Sequence, residues 1–119
     1  MPTRDDICSV LETYVTHLSN HDIDELAALF ADDAVKHEPL GVASYRGRDE
    51  IRAFDAESAK VNFSVTRHSP VTVSGNFAAM QVRVEVEGVP AFLATDLFEF
   101  DDHGKITSLS VLIDGEARP

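Results

Sequence analysis

The chain has 119 residues, of which 44% are hydrophobic and 26% are charged. This length and composition suit one globular domain, residues 1–119, without room for a second core. Ten lysine and arginine residues stand against 21 aspartate and glutamate residues, which gives a formal net charge of −11. Such a surface repels phosphate backbones and argues against nucleic-acid binding, whereas a neutral apolar small molecule meets no such repulsion.

Targeting, redox and metal signals are weak along the chain. The apolar runs are too short to cross a membrane and the N-terminus lacks the pattern of a signal peptide, so a cytoplasmic protein without a membrane partner is expected. Cys8 is the single cysteine, and it is interpreted as a small buried hydrophobic residue rather than a reactive thiol. The five histidines show no metal-binding spacing, so no metal site is predicted.

The first half of the chain follows the period of α-helices. Apolar residues from Ile7 to Leu18 recur at three- and four-residue steps and predict an amphipathic helix. Asp22 is the predicted N-cap of a second helix whose apolar residues extend to Phe30. Residues 34–38 are expected to be extended and residues 40–47 to form a loop. A short third helix is expected to begin at Arg48 or Asp49.

The second half changes to the two-residue period of β-strands. One strand is expected to begin at Phe63 and to continue through Val71 and Val73 after a bend at Pro70. Three more strands, separated by glycine-containing turns, are expected at residues 78–86, 92–100 and 106–113.

This order of elements predicts an α+β fold in which three helices pack on one side of a curved, mainly antiparallel sheet. Leu93 and Leu97 lie on the strand face opposite the phenylalanines, so both faces of the sheet carry apolar side chains. A second copy of the chain is the simplest cover for the outer face, and a homodimer is therefore expected.

Asp96 does not fit the strand in which it lies. Period-2 alternation places it on the same face as Phe92, Ala94, Phe98 and Phe100. A buried charge there would be costly, so the expected response is a raised pKa and a neutral carboxylic acid that donates a hydrogen bond. The alternatives are a shifted register that returns the carboxylate to solvent and a pairing with an arginine.

Two further residues have both a functional and an ordinary interpretation. Tyr14 lies on the apolar stripe of the first helix, and its hydroxyl is either bonded to a backbone carbonyl in the core or a second acidic donor in the same apolar interior. Glu38 directly precedes Pro39, and it is either a solvated loop residue or a general base at the mouth of a cavity.

Three runs of residues carry a resemblance to a known family: Leu29-Phe30-Ala31-Asp32-Asp33-Ala34, Glu38-Pro39-Leu40-Gly41 and Asp96-Leu97-Phe98-Glu99-Phe100. Together they resemble the bacterial Δ5-3-ketosteroid isomerases of the NTF2-like superfamily, and the likeness spans nearly the whole chain. The resemblance implies a cone-shaped fold with a deep apolar cavity, and it also implies a homodimer.

The resemblance further implies a steroid Δ-isomerase that converts Δ5-3-ketosteroids into Δ4-3-ketosteroids by intramolecular proton transfer through a dienolate. It assigns Glu38 as the base, and it assigns Tyr14 and protonated Asp96 as hydrogen-bond donors to the steroid oxygen, with no metal or organic cofactor. Four apolar residues are then expected to bind the steroid: Phe54, Val65, Val82 and Phe98.

The chain departs from this family at two positions. Glu38 stands where the family has an aspartate base. Its extra methylene displaces the carboxylate, and a displacement of that size can slow catalysis. Asp55 stands where the family has a tyrosine that supports the oxyanion tyrosine. It is expected to face water on the third helix, with a bond to Tyr14 as the alternative.

Two other functions remain open. One is a SnoaL-like polyketide cyclase or another NTF2-like enzyme that acts on an apolar substrate, and the other is a non-catalytic small-molecule-binding dimer. An epoxide hydrolase of the superfamily would need an Asp-Arg-Asp water site, which the sequence does not place.

Overall fold

The computed structural model describes residues 1–119 as three helices and seven strands. The helices are α1, Arg4–Asn20; α2, Ile23–Ala27; and α3, Arg48–Ser58. The strands are β1, Phe30–His37; β2, Ser44–Arg46; β3, Phe63–Arg67; β4, Thr72–Ser74; β5, Phe77–Val86; β6, Phe92–Phe100; and β7, Ile106–Asp114. None of the helices combines the length and the apolar character needed to cross a membrane.

Helix α1 has well-formed caps at both ends. The Thr3 hydroxyl accepts a hydrogen bond from the Asp6 backbone N–H at 3.1 Å, and the Thr3 N–H donates to the Asp6 carboxylate at 2.9 Å. This reciprocal pair is a capping box, which satisfies two backbone donors at the helix start. At the other end His21 adopts a left-handed conformation with a φ of 59°, and this ends the helix.

The strands form one open, curved sheet in the order β2-β1-β7-β6-β5-β3, and β4 pairs with β5 on the same edge as β3. Neighbouring strands are antiparallel except β1 and β7, which are parallel. Parallel pairing aligns His37 with Ser110, and the Leu40 N–H donates to the Val111 carbonyl at 2.9 Å. Glu38, which lies between these two contacts, is thereby held beside the middle of β7.

The core lies between the helices and the inner face of the sheet. Its fully buried members from the helices include Leu11, Leu26 and Ile51, and those from the strands include Phe30 and Leu109. The α+β plan of three helices on a curved, mainly antiparallel sheet is therefore confirmed.

The outer face of the sheet remains largely open to solvent. Phe77, Leu97 and Leu112 are 57%, 43% and 44% exposed, whereas Leu109 and Val111 on the inner face of β7 are buried. The prediction that both faces carry apolar side chains is confirmed. The expected homodimer stays a prediction.

The differences from the sequence prediction concern short elements. Phe30 begins β1 instead of ending α2, and its carbonyl accepts hydrogen bonds from the Arg48 guanidinium at 3.1 and 2.6 Å. The predicted loop at residues 40–47 contains β2, which pairs with β1. Val73 belongs to β4, a strand separate from β3, because both strands pair with different parts of β5.

Candidate active site

An apolar cavity of about 240 Å³ lies between α1, α3 and the inner face of the sheet. Most of its lining side chains are aliphatic or aromatic: Leu18, Val61, Phe63, Val65, Val82, Val84, Val86, Phe92, Ala94, Val111 and Ile113. The polar side chains that line it are Tyr14, Lys36, Glu38, Asp55, Ser58 and Asp96. An apolar wall with a few polar groups is the usual composition of a site for a small organic molecule.

Asp96 lies in the middle of β6 and points to the cavity. Its inward orientation follows from strand alternation, because Ala94 and Phe98 on either side of it are also buried. Only 3% of Asp96 is exposed, and its carboxyl group makes no hydrogen bond within the protein. Burial raises its pKa from 3.8 to about 7, the Lys36 ammonium opposes part of that rise and Glu38 adds to it. A carboxylic acid in this environment holds its proton far more readily than a solvated one.

Tyr14 contributes a second unpaired donor from the α1 side of the cavity. Its ring is 1% exposed and packs edge-on against Phe98 at 5.3 Å and against Phe30 at 6.5 Å between ring centroids. These contacts fix the ring, while the hydroxyl makes no hydrogen bond within the protein. Burial raises the pKa of this hydroxyl well above its ordinary value, and the Lys36 ammonium opposes part of that rise.

A buried charged cluster forms the third polar part of the cavity. The Lys36 ammonium donates to Asp55 Oδ1 at 2.8 Å and lies 3.4 Å from Glu38 Oε1. Lys36 and Asp55 are 1% and 3% exposed, so their charges are held away from water. The Lys36 ammonium also lies 5.9 Å from the centroid of the Tyr14 ring.

Lys36 is the cation of this cluster. Burial acts to lower its pKa, whereas the Glu38 carboxylate and the hydrogen-bonded Asp55 carboxylate act to raise that pKa and favour the ammonium form. A lysine with a raised pKa remains an ammonium at neutral pH and cannot act as a nucleophile. Its role in the cavity is therefore that of a fixed positive charge.

The structure brings the three predicted catalytic residues, Tyr14, Glu38 and Asp96, to one cavity. Of the four predicted substrate-binding residues, Val65 and Val82 line the cavity.

Phe54 and Phe98 are not among the residues that line the cavity, and a role for them in binding the substrate stays a prediction. Phe98 packs behind the Tyr14 ring. Phe54 stacks on Tyr45 at 4.2 Å and lies 5.2 Å from the Lys36 ammonium. Each of these rings supports a polar lining residue and is one layer removed from the cavity.

Asp55 also departs from the prediction. It was expected to face water or to bond Tyr14, but it is buried and bonds Lys36. Asp55 lies four residues after the fully buried Ile51 on α3, so helical spacing places both on the inner face of the helix. Its second oxygen, Oδ2, is buried without a hydrogen-bond partner.

The sequence analysis did not single out Lys36, although the strand period offered a signal. Lys36 lies two residues before Glu38 and two after the buried Ala34, so alternation points all three toward the same side of the sheet. A lysine at an inward position is unusual enough to indicate a buried partner.

Comparisons with known proteins agree with this architecture. A family model described as the SnoaL-like domain matches residues 11–109. A structure of the epoxide hydrolase/cyclase-like enzyme SalBIII, linked to pyran ring formation in the polyether salinomycin, superposes with a TM-score of 0.84 at 19% identity, covering 94% of this chain and 93% of that one. A de novo designed protein with a curved β-sheet gives a TM-score of 0.82 at 23% identity, covering 95% of this chain and 88% of the designed one.

The two structural likenesses concern the fold alone, because the designed protein shares the fold as closely as the natural enzyme does. The family model, in contrast, extends over most of the chain and includes Tyr14, Lys36, Glu38, Asp55 and Asp96. The chain therefore belongs to the SnoaL-like domain family, with the cone-shaped NTF2-like fold.

Proposed function

We propose that this protein is a steroid Δ-isomerase, an enzyme that converts Δ5-3-ketosteroids into Δ4-3-ketosteroids by moving a proton through a dienolate. One observation carries the proposal: two buried proton donors, Tyr14 and Asp96, line an apolar cavity and lack any hydrogen-bond partner in the protein. Both groups face the cavity, so a ligand that enters it can accept hydrogen bonds from them, and a few polar groups in an apolar wall are what orients a bound small molecule. A ketone oxygen on an apolar ring system matches both the donors and the walls.

The reaction transfers one proton and leaves no net charge change. Glu38 takes a proton from the carbon between the ketone and the double bond, and the electron pair of that C–H bond moves toward the ketone oxygen. The resulting dienolate oxygen accepts hydrogen bonds from Tyr14 and from protonated Asp96. Glu38 then returns the proton to the far end of the conjugated system. Preorganised donors stabilise the developing negative charge, and such stabilisation commonly contributes more to the rate than any other single effect.

The position of Glu38 supports its proposed role as the base. It lines the cavity with 23% of its side chain exposed, and its Oε1 lies 3.4 Å from the Lys36 ammonium. No protein group bonds Oε2, which leaves that oxygen free for a substrate proton.

The test is an ultraviolet assay for the conjugated enone that forms from a Δ5-3-ketosteroid. Removing a positioned general base typically costs about 100-fold or more, so Glu38→Gln should slow turnover by at least about that factor. The matched control is Glu99→Gln, on the exposed outer face of β6, which should retain the wild-type rate. No isomerisation by the wild type, or equal rates for wild type and Glu38→Gln, would refute the proposal.

A second function has its own supporting observation. Lys36 lies between Asp55 and Glu38, which is a carboxylate-cation-carboxylate arrangement with lysine in place of the arginine that an epoxide hydrolase of this superfamily would use. Members of the SnoaL-like family are often enzymes such as cyclases, and the fold neighbour SalBIII is named as epoxide hydrolase/cyclase-like.

In this second function Asp96 would protonate an epoxide oxygen while Glu38 takes the proton of an attacking hydroxyl group. One C–O bond breaks and one forms, and a proton passes from nucleophile to leaving oxygen. Incubation with an apolar hydroxy-epoxide tests it: a cyclic ether of unchanged mass indicates a cyclase, and a triol with the mass of one added water indicates a hydrolase in which water takes the place of the attacking hydroxyl group. Tight binding of a phenolic steroid without turnover of either substrate would instead favour a binding protein.

A further inference from the structure

We propose that the Lys36 ammonium is the charged component of the oxyanion site. Asp55 holds the ammonium in place, and its fixed positive charge stabilises the negative charge both when this lies on Glu38 and when it lies on the ligand oxygen. The inference rests on the proposed isomerase function. It identifies the ligand class as neutral carbonyl compounds that become enolates in the cavity, together with their stable mimics, acidic phenols.

The position of Lys36 is determined by contacts on two sides. Asp55 on α3 accepts a hydrogen bond from the ammonium at 2.8 Å, and Glu38 after β1 lies 3.4 Å away. The Tyr14 ring is 5.9 Å away on a third side. An ammonium held between these groups stays in place during catalysis and needs no reorganisation, which is what makes a preorganised charge effective.

Proton transfer leaves the net charge of the cavity unchanged, and Lys36 keeps that charge at −1 instead of −2. Before proton transfer the cluster contains the Glu38 and Asp55 carboxylates and one ammonium, so its charge is −1 with Asp96 and Tyr14 neutral. After transfer Glu38 is neutral and the ligand oxygen carries the negative charge. The ammonium lines the same cavity as Glu38, Tyr14 and Asp96, so it faces the negative charge in both states, and the low dielectric of the cavity strengthens that attraction.

Lys36 also acts on both donors. Its positive charge opposes the rise in pKa that burial causes at Tyr14 and at Asp96, and a more acidic donor gives a stronger hydrogen bond to an oxyanion. The net charge of the chain, −11, disfavours an anionic ligand oxygen unless a cation lies close to it. Lys36 is the only lysine or arginine that lines this cavity.

The experiment measures the ionisation of a bound phenol and requires no turnover. The background is Glu38→Gln, whose neutral side chain represents the base after it has taken the proton. The probes are 2-naphthol and ring-fluorinated 2-naphthols of increasing acidity, whose ultraviolet spectra distinguish naphthol from naphtholate. The comparison adds Lys36→Met to that background and, as the matched control, Lys60→Met, which removes the charge of an exposed lysine that does not line the cavity.

We expect Lys36→Met to lower the ratio of bound naphtholate to bound naphthol by at least about 10-fold, because one positive charge near the oxyanion is lost. Lys60→Met should leave the ratio unchanged, because the charge that it removes is exposed to water and outside the cavity. Because Lys36→Met leaves Asp55 unpaired, the variant that combines Lys36→Met with Asp55→Leu is the second test if the first one does not fold. Its ratio should also fall, but by less, because a negative charge is lost as well.

The outcomes separate this inference from the isomerase proposal. An unchanged ratio in Lys36→Met, or an equal fall in Lys36→Met and Lys60→Met, overturns the inference and leaves Lys36 a structural clamp. Failure of the background protein to bind any naphtholate overturns it as well. A Lys36-dependent ratio in a protein that does not isomerise ketosteroids supports the charged site and refutes the isomerase.

Discussion

The cavity buries ionisable groups in two different ways on its two sides. On the β1 and α3 side, Lys36 and Asp55 keep their charges and neutralise each other through a contact of 2.8 Å. On the α1 and β6 side, Tyr14 and Asp96 have no partner, and burial raises the pKa of each so that the neutral form is favoured. Both sides are similarly buried.

The comparison shows why one side is structural and the other is suited to chemistry. A paired buried charge loses stability when one partner is removed, and its hydrogen-bonding capacity is largely used within the protein. A neutral acid without a partner in the protein can donate a hydrogen bond to a ligand, but only at a pH at which the acid holds its proton. The four predictions that follow test this contrast, from the largest expected effect to the smallest.

Lys36→Met should destabilise the protein by about 3–5 kcal/mol, because it leaves the Asp55 carboxylate buried without a cation. Urea denaturation at pH 7 measures this loss. Lys36→Met combined with Asp55→Leu should recover most of it, since an apolar pair of similar volume can replace a buried ion pair. A small loss in the single variant would mean that water or another group compensates Asp55.

Asp96 should make the stability of the protein fall as pH rises. Its pKa is about 7 in the folded chain against 3.8 for an ordinary aspartate, so between these pH values the folded chain binds a proton that the unfolded chain has released. The Asp96 contribution is therefore fully favourable below about pH 4, declines by about 4 kcal/mol up to about pH 7 and stays constant above that.

The measurement compares wild type with Asp96→Asn in urea denaturation at several pH values from about 4 to about 8, on either side of the window set by the two pKa values. The difference between the two free energies of unfolding isolates the Asp96 carboxyl, because all other titrating groups are common to both proteins. A difference that does not vary with pH would show that Asp96 is solvated or paired.

Asp96→Leu should lower kcat for ketosteroid isomerisation by about 100- to 1,000-fold, because it removes one donor to the developing oxyanion. Asp96→Asn keeps a weaker donor and should lose less. For wild type, kcat/KM should fall as pH rises through about 7, where Asp96 loses its proton, and this fall should be absent in Asp96→Asn. Equal rates for wild type and the leucine variant would remove Asp96 from the mechanism.

Phe54→Leu should have the smallest effect. It removes the stacking on Tyr45 and the contact with the Lys36 ammonium, which together stabilise by about 1 kcal/mol. Because Phe54 is not a lining residue, the affinity for 2-naphthol should change less than about 2-fold, well below the effect of losing a ligand contact. A clear loss of affinity without a loss of stability would support the sequence prediction that Phe54 binds the ligand.

The outer face of the sheet is the expected interface of the predicted homodimer. Phe77, Leu97 and Leu112 are exposed there, in a region without any of the charged groups that line the cavity. Light scattering at micromolar concentration should give the mass of two chains if the prediction holds. A single-chain mass would remove it.

Much of the fold could be predicted because it depends on local periodicity. The helical stripe from Ile7 to Leu18 and the alternation along β6 are properties of neighbouring residues, and both are present in the structure. The strand β2 could not be predicted, because three residues carry too little pattern and its strand state comes from pairing with β1. The end of α2 shifted for a similar reason, since Phe30 pairs with Ile106 of β7.

The sequence by itself determined the donor side of the cavity. An aspartate on a phenylalanine face and a tyrosine on a helical apolar stripe indicate burial whatever the partner, because local spacing alone fixes which face each residue takes. Only the tertiary structure decided the charged side. Lys36 and Asp55 are 19 residues apart in the chain, and each taken alone is a residue type that prefers water. Local spacing points both of them inward, but their pairing depends on the contact that β1 and α3 make with each other, and no local pattern encodes that contact.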